Sequence, residues 1–202
     1  MTDLTLRSSP ASPFGRKVKL AAAACGLTGR IDIVRADTND PADSLRTQNP
    51  LGKIPTLVTA DGTVLYDSRV IVEYLDHLAG GGKVIPTEPK ARFEALTLQA
   101  LGDGIMDAAI LRRYEATLRG EGERSARWDG HQQGKVDRGL DHLEANLPAA
   151  ERLTIGEIAV AAALAYLDFR FEGSWRAGHP NLAAWLDTVG PRMPGWAETT
   201  PA

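Results

Sequence analysis

The apolar positions of this chain change their spacing several times, and the changes divide it into two halves. Leu4 and Leu6 alternate with polar neighbours in DLTLRS, which predicts a half-buried strand over 3–8. From Pro13 the period lengthens. Phe14, Val18, Ala21, Ala22 and Cys25 recur at helical spacing and Gly26 supplies a stop, so a helix is expected over 13–25. IDIVRA, at 31–36, reads as a second strand, and the polar stretch after it holds only a short helix or turn. KIPTLVTADGTVLYDS reads as a hairpin, with Asp61-Gly62 at its tip. A helix then starts near Ser68, with Ile71, Tyr74, Leu75 and Leu78 as its apolar face.

GGGKVIPTEP breaks the pattern as a linker does. Beyond it every apolar stripe is helical. Phe93, Leu96, Leu101, Ile105, Ala108, Leu111 and Tyr114 outline one long helix. Trp128, Gln132, Val136, Leu140, Leu143 and Leu147 outline a second, which Pro148 ends. LTIGEIAVAAALAYLDFR opens with Thr154 and Glu157, the spacing of a reciprocal cap, and is apolar nearly all round. Such a helix belongs in the middle of a bundle. Leu182, Trp185, Leu186 and Val189 give NLAAWLDTV a core face, and the tail with Pro191, Pro194 and Trp196 is expected to pack back irregularly. The fold class that follows is α/β plus all-α: a small sheet covered by helices over 1–79, a linker at 80–89 and a helical bundle over 90–202.

Composition narrows the function. The 202 residues are 43% apolar and 24% charged, with a formal net charge of -3, as in an ordinary soluble domain. That sign disfavours nucleic acid and anionic membranes as partners. Trp128 and Trp175 suggest a stacking platform, but neither an RNA-binding motif nor a basic excess accompanies them. Cys25 is the single cysteine, so neither an intrachain disulfide nor a zinc cluster is expected. His131 and His142 lack metal-ligand spacing. The longest apolar run is interrupted by Glu157 and the start carries no apolar signal segment, so a cytoplasmic protein is expected.

Ser12 stands immediately before Pro13, the arrangement of a helix N-cap with proline at the first helical position. No histidine precedes residue 77 and no GxSxG elbow exists, so a covalent serine nucleophile is weakly supported. A different chemistry suits a hydroxyl at a helix start. Unpaired N–H groups there favour an anion, and the hydroxyl adds one more donor. Together they would stabilise a ligand's thiolate over its thiol, because Cys25 lies about three turns farther along the helix.

SPASPFGRKVKLAAAACGL, NPLGKIPTLV, VLYDSRVIVEYLD, LTIGEIAVAAALAYLDFR and HPNLAAWLDTV, in this order, resemble the cytosolic glutathione transferase superfamily over essentially the whole chain. The resemblance implies a thioredoxin-like domain that binds glutathione, a helical second domain and a homodimer without metal. Ser12-Pro13-Phe14 resembles the family's Ser-Pro-Phe form, with Ser12 as the activating hydroxyl; Ser9 is the rival, since other branches carry the residue a few positions earlier. Arg7 and Ser8 stand where some classes have tyrosine. Ile54-Pro55 matches the residue before a cis-proline, whose backbone pairs with the ligand, and Lys53 is implied to meet a terminal carboxylate. Asp67-Ser68 matches the pair that grips the γ-glutamyl end, although Glu or Gln is commoner at the first position.

The second substrate's pocket is expected between the domains, with Ile105, Met106, Ala109, Arg112 and Arg113 as lining residues and Tyr114 and Phe171 as contributing rings. A stripe of apolar residues on a helix is more often bundle core than pocket lining. Three functions follow: a transferase that detoxifies a small apolar electrophile, a glutathione-dependent ether-cleaving or isomerising enzyme, and a nonenzymatic binding or regulatory relative. Serine at both candidate positions disfavours thiol-exchange chemistry.

Overall fold

The computed structural model describes residues 2–201. The chain forms two compact units, Met1–Phe93 with Met193–Ala202, and Glu94–Arg192.

The first unit is built on four strands: β1 (Leu4–Ser8), β2 (Ile31–Arg35), β3 (Thr56–Thr59) and β4 (Val64–Leu65), in the order β2-β1-β3-β4. β1 and β2 are parallel, because the helix α1 (Pro13–Ala24) carries the chain back between them. β3 runs antiparallel to both β1 and β4. The expected hairpin tip is there: Gly62 adopts φ +84°, and its N–H donates to Thr59 O at 2.9 Å. A short helix, α2 (Leu45–Gln48), and α3 (Ser68–Leu78) complete the unit. Leu6, Leu57, Val18, Ile71 and Leu75 are completely buried in its core. Each such aliphatic side chain contributes about 1.5–3 kcal/mol through burial.

Part of the segment expected as a linker is folded into this unit, and so is the tail, which was expected to pack back. Residues 80–85 wrap the end of α3, where the Asp76 carboxylate accepts from the N–H groups of Gly82, Lys83, Val84 and Ile85 at 2.7–3.2 Å. Gly80, Gly81 and Gly82 all have positive φ, which turns consecutive N–H groups toward one acceptor. Val84 and Ile85 are buried as a result. The tail lies on α1: the Arg16 guanidinium carbon is 4.0 Å from the centroid of the Trp196 ring, and Arg16 Nη2 donates to Trp196 O at 3.1 Å.

The second unit consists of α4 (Pro89–Leu118) from Glu94 onward, α5 (Ala126–Ala145), α6 (Ile155–Phe171) and α7 (Pro180–Val189). Every residue of α6 from Ile155 to Leu167 is buried, as its all-round apolarity requires. Its reciprocal cap forms: Thr154 Oγ1 accepts from Gly156 N at 3.2 Å, and Glu157 Oε2 accepts from Thr154 N at 2.8 Å. The face expected for α7 is buried at all four positions.

α4 differs from its reading. Phe93, Leu111 and Tyr114 are exposed, while Ala95, Gln99, Gly102, Ile105, Met106 and Ala109 are buried. The inward face is set by close approach rather than by the largest apolar side chains. A β-carbon on Gly102 would lie 2.7 Å from the backbone carbon of Ala159, so α4 and α6 touch through their main chains there.

Candidate functional site

Strand register brings most of the candidates to one end of the sheet. The last β1–β3 pair is Arg7 with Thr56, so the next residues in line are Ser8 and Ser9 on one strand and Pro55 and Ile54 on the other. The β3–β4 ladder pairs Leu57 with Leu65, and continuing it leads to Tyr66, Asp67 and Ser68 at the same end. α1 and α3 both begin here and pack against each other. The end therefore carries two helix N-termini, each equivalent to about half a positive charge.

Ser12 is the N-cap of α1. Its Oγ accepts from Gly15 N at 3.0 Å and its own N–H donates to Ser9 O at 3.1 Å. A capping hydroxyl uses a lone pair, so its proton stays available to an anion in front of the helix. Ser9 Oγ accepts a longer bond from Ala11 N at 3.4 Å. Both serines are half-buried. Phe14 is half-buried in the first turn, with Lys17 Nζ 5.5 Å from its ring centroid.

The Ile54-Pro55 bond is cis, as the sequence match expects, and Ile54 lies outside the ladder ahead of β3. Its loop is held by Asn49, which is 1% exposed. Asn49 Nδ2 donates to Lys53 O at 2.9 Å and to Thr56 Oγ1 at 3.1 Å, and its Oδ1 accepts from Leu51 N at 3.0 Å. The Lys53 side chain is exposed.

α3 starts at Ser68, where the sequence places its beginning. Asp67, not Ser68, is the N-cap, accepting from Arg69 N at 2.9 Å. Ser68 is the first helical residue and is buried. A carboxylate reaches the second N–H of the helix as well as a hydroxyl does, and it also complements the helix dipole. The peptide bond between Tyr66 and Asp67 is cis as well.

Three residues that shape this end were given no role by the sequence reading. Buried Ser8 lies against Gly15, where a β-carbon would come within 2.2 Å of its Oγ. Arg7 is buried and ties β1 to the segment around α2, donating to Asp43 Oδ1 at 2.7 Å, Ser44 Oγ at 2.9 Å and Gln48 Oε1 at 2.8 Å. Asn49 is the third; its one visible signal is the turn dipeptide it forms with Pro50.

The residues expected to line the second substrate's pocket separate. Ile105, Met106 and Ala109 are buried, and Ile105 fills the space beside Gly139 on α5. Ile105 is thus a bundle-core side chain. Arg112 borders a cavity of about 200 Å³ within the second unit, pairing with Asp129 at 2.9 Å and lying 4.9 Å from the Phe171 ring centroid. Arg113 is exposed. Among the described residues, no three His, Cys, Asp or Glu side chains converge as a metal site, and no helix is long and apolar enough to cross a membrane.

Comparison with known proteins agrees with this arrangement. The family described as "Glutathione S-transferase, N-terminal domain" matches residues 11–78, and "Glutathione S-transferase, C-terminal domain" matches 103–188. The uncharacterized GST-like protein YibF of Escherichia coli is 30% identical over 203 residues, 98% of both chains. A glutathione transferase family member from Pseudomonas fluorescens Pf-5, solved with bound glutathione, is 43% identical with a TM-score of 0.92, over 98% of this chain and 99% of that one. A glutathione S-transferase from Methylobacillus flagellatus KT, with glutathione bound, is 35% identical with a TM-score of 0.91, over 98% and 100%.

Proposed function

The chain belongs to the glutathione S-transferase family, and on that footing we propose that it binds glutathione at this end of the sheet and adds the sulfur to a small electrophile with an apolar body. The observation that carries the reading is the convergence of Ser9, Ser12, Ile54, Asp67 and Ser68 beside two helix N-termini.

Each group has a task that suits the zwitterionic tripeptide. Ser12 donates its hydroxyl proton to the sulfur while its lone pair stays on Gly15 N. That lowers the thiol pKa, and each unit is worth about 1.4 kcal/mol. Ile54 offers main-chain groups to the cysteinyl unit as an added strand would. Asp67 accepts from the γ-glutamyl ammonium, Ser68 and the α3 N-terminus take its carboxylate, and Lys53 meets the glycyl carboxylate. Pro55 and Phe14 shape the site's walls. Once thiolate and electrophile are held together, orientation supplies much of the remaining acceleration.

Ser9 is the alternative donor. Ser12 is favoured because it is the residue that caps the helix, and the field of that helix acts where its hydroxyl points. The decisive experiment is a calorimetric titration with glutathione followed by turnover of Ser12→Ala. Clear binding in both proteins with turnover lost in the variant is the expected result. Absent binding would favour a nonenzymatic role. A cytoplasmic homodimer completes the proposal, and sedimentation of the purified chain tests the dimer.

A further inference from the structure

A second cavity, of about 260 Å³, opens within the first unit beside Ser9. Its walls come from the end of β1, from Ile33 and Arg35 on β2, from Lys19 on α1 and from Glu198 and Thr199 of the tail. Arg35 pairs with Ser8 across the parallel ladder, so its side chain belongs to the same face as the Ser8 hydroxyl. Neither the Lys19 nor the Arg35 side chain makes a hydrogen bond or ion pair with any described residue. Burial, and after it the charge of Arg16, holds the Lys19 ammonium below its ordinary pKa. Ile33 is 53% exposed and gives the cavity an apolar wall.

We propose that this cavity receives an acidic group of the second substrate, with Lys19 and Arg35 as its cationic partners and Ile33 against its carbon chain. The inference rests on the reading above that the glutathione sulfur lies at Ser12 or Ser9. Lys19 and Arg35 outnumber the single lining carboxylate, Glu198, and the charge of Arg16 also reaches Lys19, so the cavity favours an anion. A half-desolvated ammonium without a partner gains more from such a group than a solvated one does. The electrophile would then have an apolar body with a carboxylate on a short arm.

The test is calorimetry with paired glutathione conjugates. Each pair bears an S-linked chain of one to four methylenes, ending in a carboxylate or in its isosteric carboxamide. Glutathione alone is the control, and inorganic phosphate is the competitor. In the wild-type protein the acid of the best-fitting pair should bind about tenfold more tightly than its amide. Lys19→Gln should bring that ratio below about threefold. Arg35→Gln, at an exposed position and with little bearing on folding, should lower it as well. Phosphate should not erase the preference. If glutathione binds but acid and amide bind alike at every length, or if both variants keep the wild-type ratio, the inference fails while the transferase reading stands. If phosphate competes with the acid, the site is a general anion site and the inference also fails. If glutathione itself does not bind, the reading beneath it fails first.

Discussion

The Ser8 hydroxyl fills the space that a side chain at residue 15 would need, for a β-carbon on Gly15 would lie 2.2 Å from Ser8 Oγ. The same glycine donates its N–H to Ser12, so one close contact sets both the depth of α1 and the position of its cap. Gly15→Ala should cost about 1–3 kcal/mol in denaturant unfolding, as overpacking of a tight site does. Adding Ser8→Ala should recover part of the loss. A cycle without coupling between the two would show that the contact does not constrain the helix.

Ser12→Ala should cost about 1 kcal/mol of stability through the lost cap. It should also raise the pKa of bound glutathione by about one to two units, read from the ultraviolet absorbance of the thiolate against pH. Ser9→Ala should leave that titration close to wild type. The reverse pattern would give the activating role to Ser9.

On the proposed reading Asp67 has a second task besides its cap, and one substitution separates the two. Asparagine caps a helix about as well as aspartate. Asp67→Asn should therefore unfold near the wild-type midpoint while binding glutathione about tenfold more weakly, because a charge-assisted bond to the ligand's ammonium is lost. Loss of stability with unchanged affinity would reduce Asp67 to a cap.

Asp76→Ala should be among the most damaging single changes in the first unit. It strands N–H groups at residues 82–85 beside the buried Val84 and Ile85. A loss of about 3–5 kcal/mol is expected, the scale of removing one partner from a buried charged network. Thermal unfolding measures it, and a shift of a degree or less would contradict the account.

Cys25 should be a slow thiol. Burial, reinforced by the Asp76 carboxylate and opposed by Lys83, pushes its pKa up to about 11. The folded state therefore favours the neutral thiol. That preference stabilises the fold fully below the thiol's unfolded value and is lost as pH rises toward about 11. Alkylation of the folded protein near neutral pH should lag far behind the unfolded chain, and the gap should close only in strong alkali.

Local chemistry was the legible part of this fold. Ser12 before Pro13, Thr154 with Glu157, Asp61-Gly62 and the four-residue face of α7 each act within a turn or two of themselves, and each appears where its spacing puts it. Long-range choices were hidden. On α4 the inward face follows Gly102 and its neighbours, because close contact with α6 rewards small residues over large ones. The glycines at 80–82 read as slack, yet a carboxylate several residues earlier gathers the chain around itself. At the candidate site, motif order singled out Ser12, Ile54 and Asp67, which the fold brings to one end of the sheet, whereas Ser8, Asn49 and Arg7 have structural roles that only three-dimensional proximity defines.

The clasp between Arg16 and Trp196 makes the first unit discontinuous along the sequence. A single cut after Phe93 cannot yield an intact first unit, since such a fragment would leave behind the strand of chain that shelters one of its own arginines. Dissecting this scaffold calls for grafting the final segment back by a designed tether, and any fusion appended behind that segment loads the first unit.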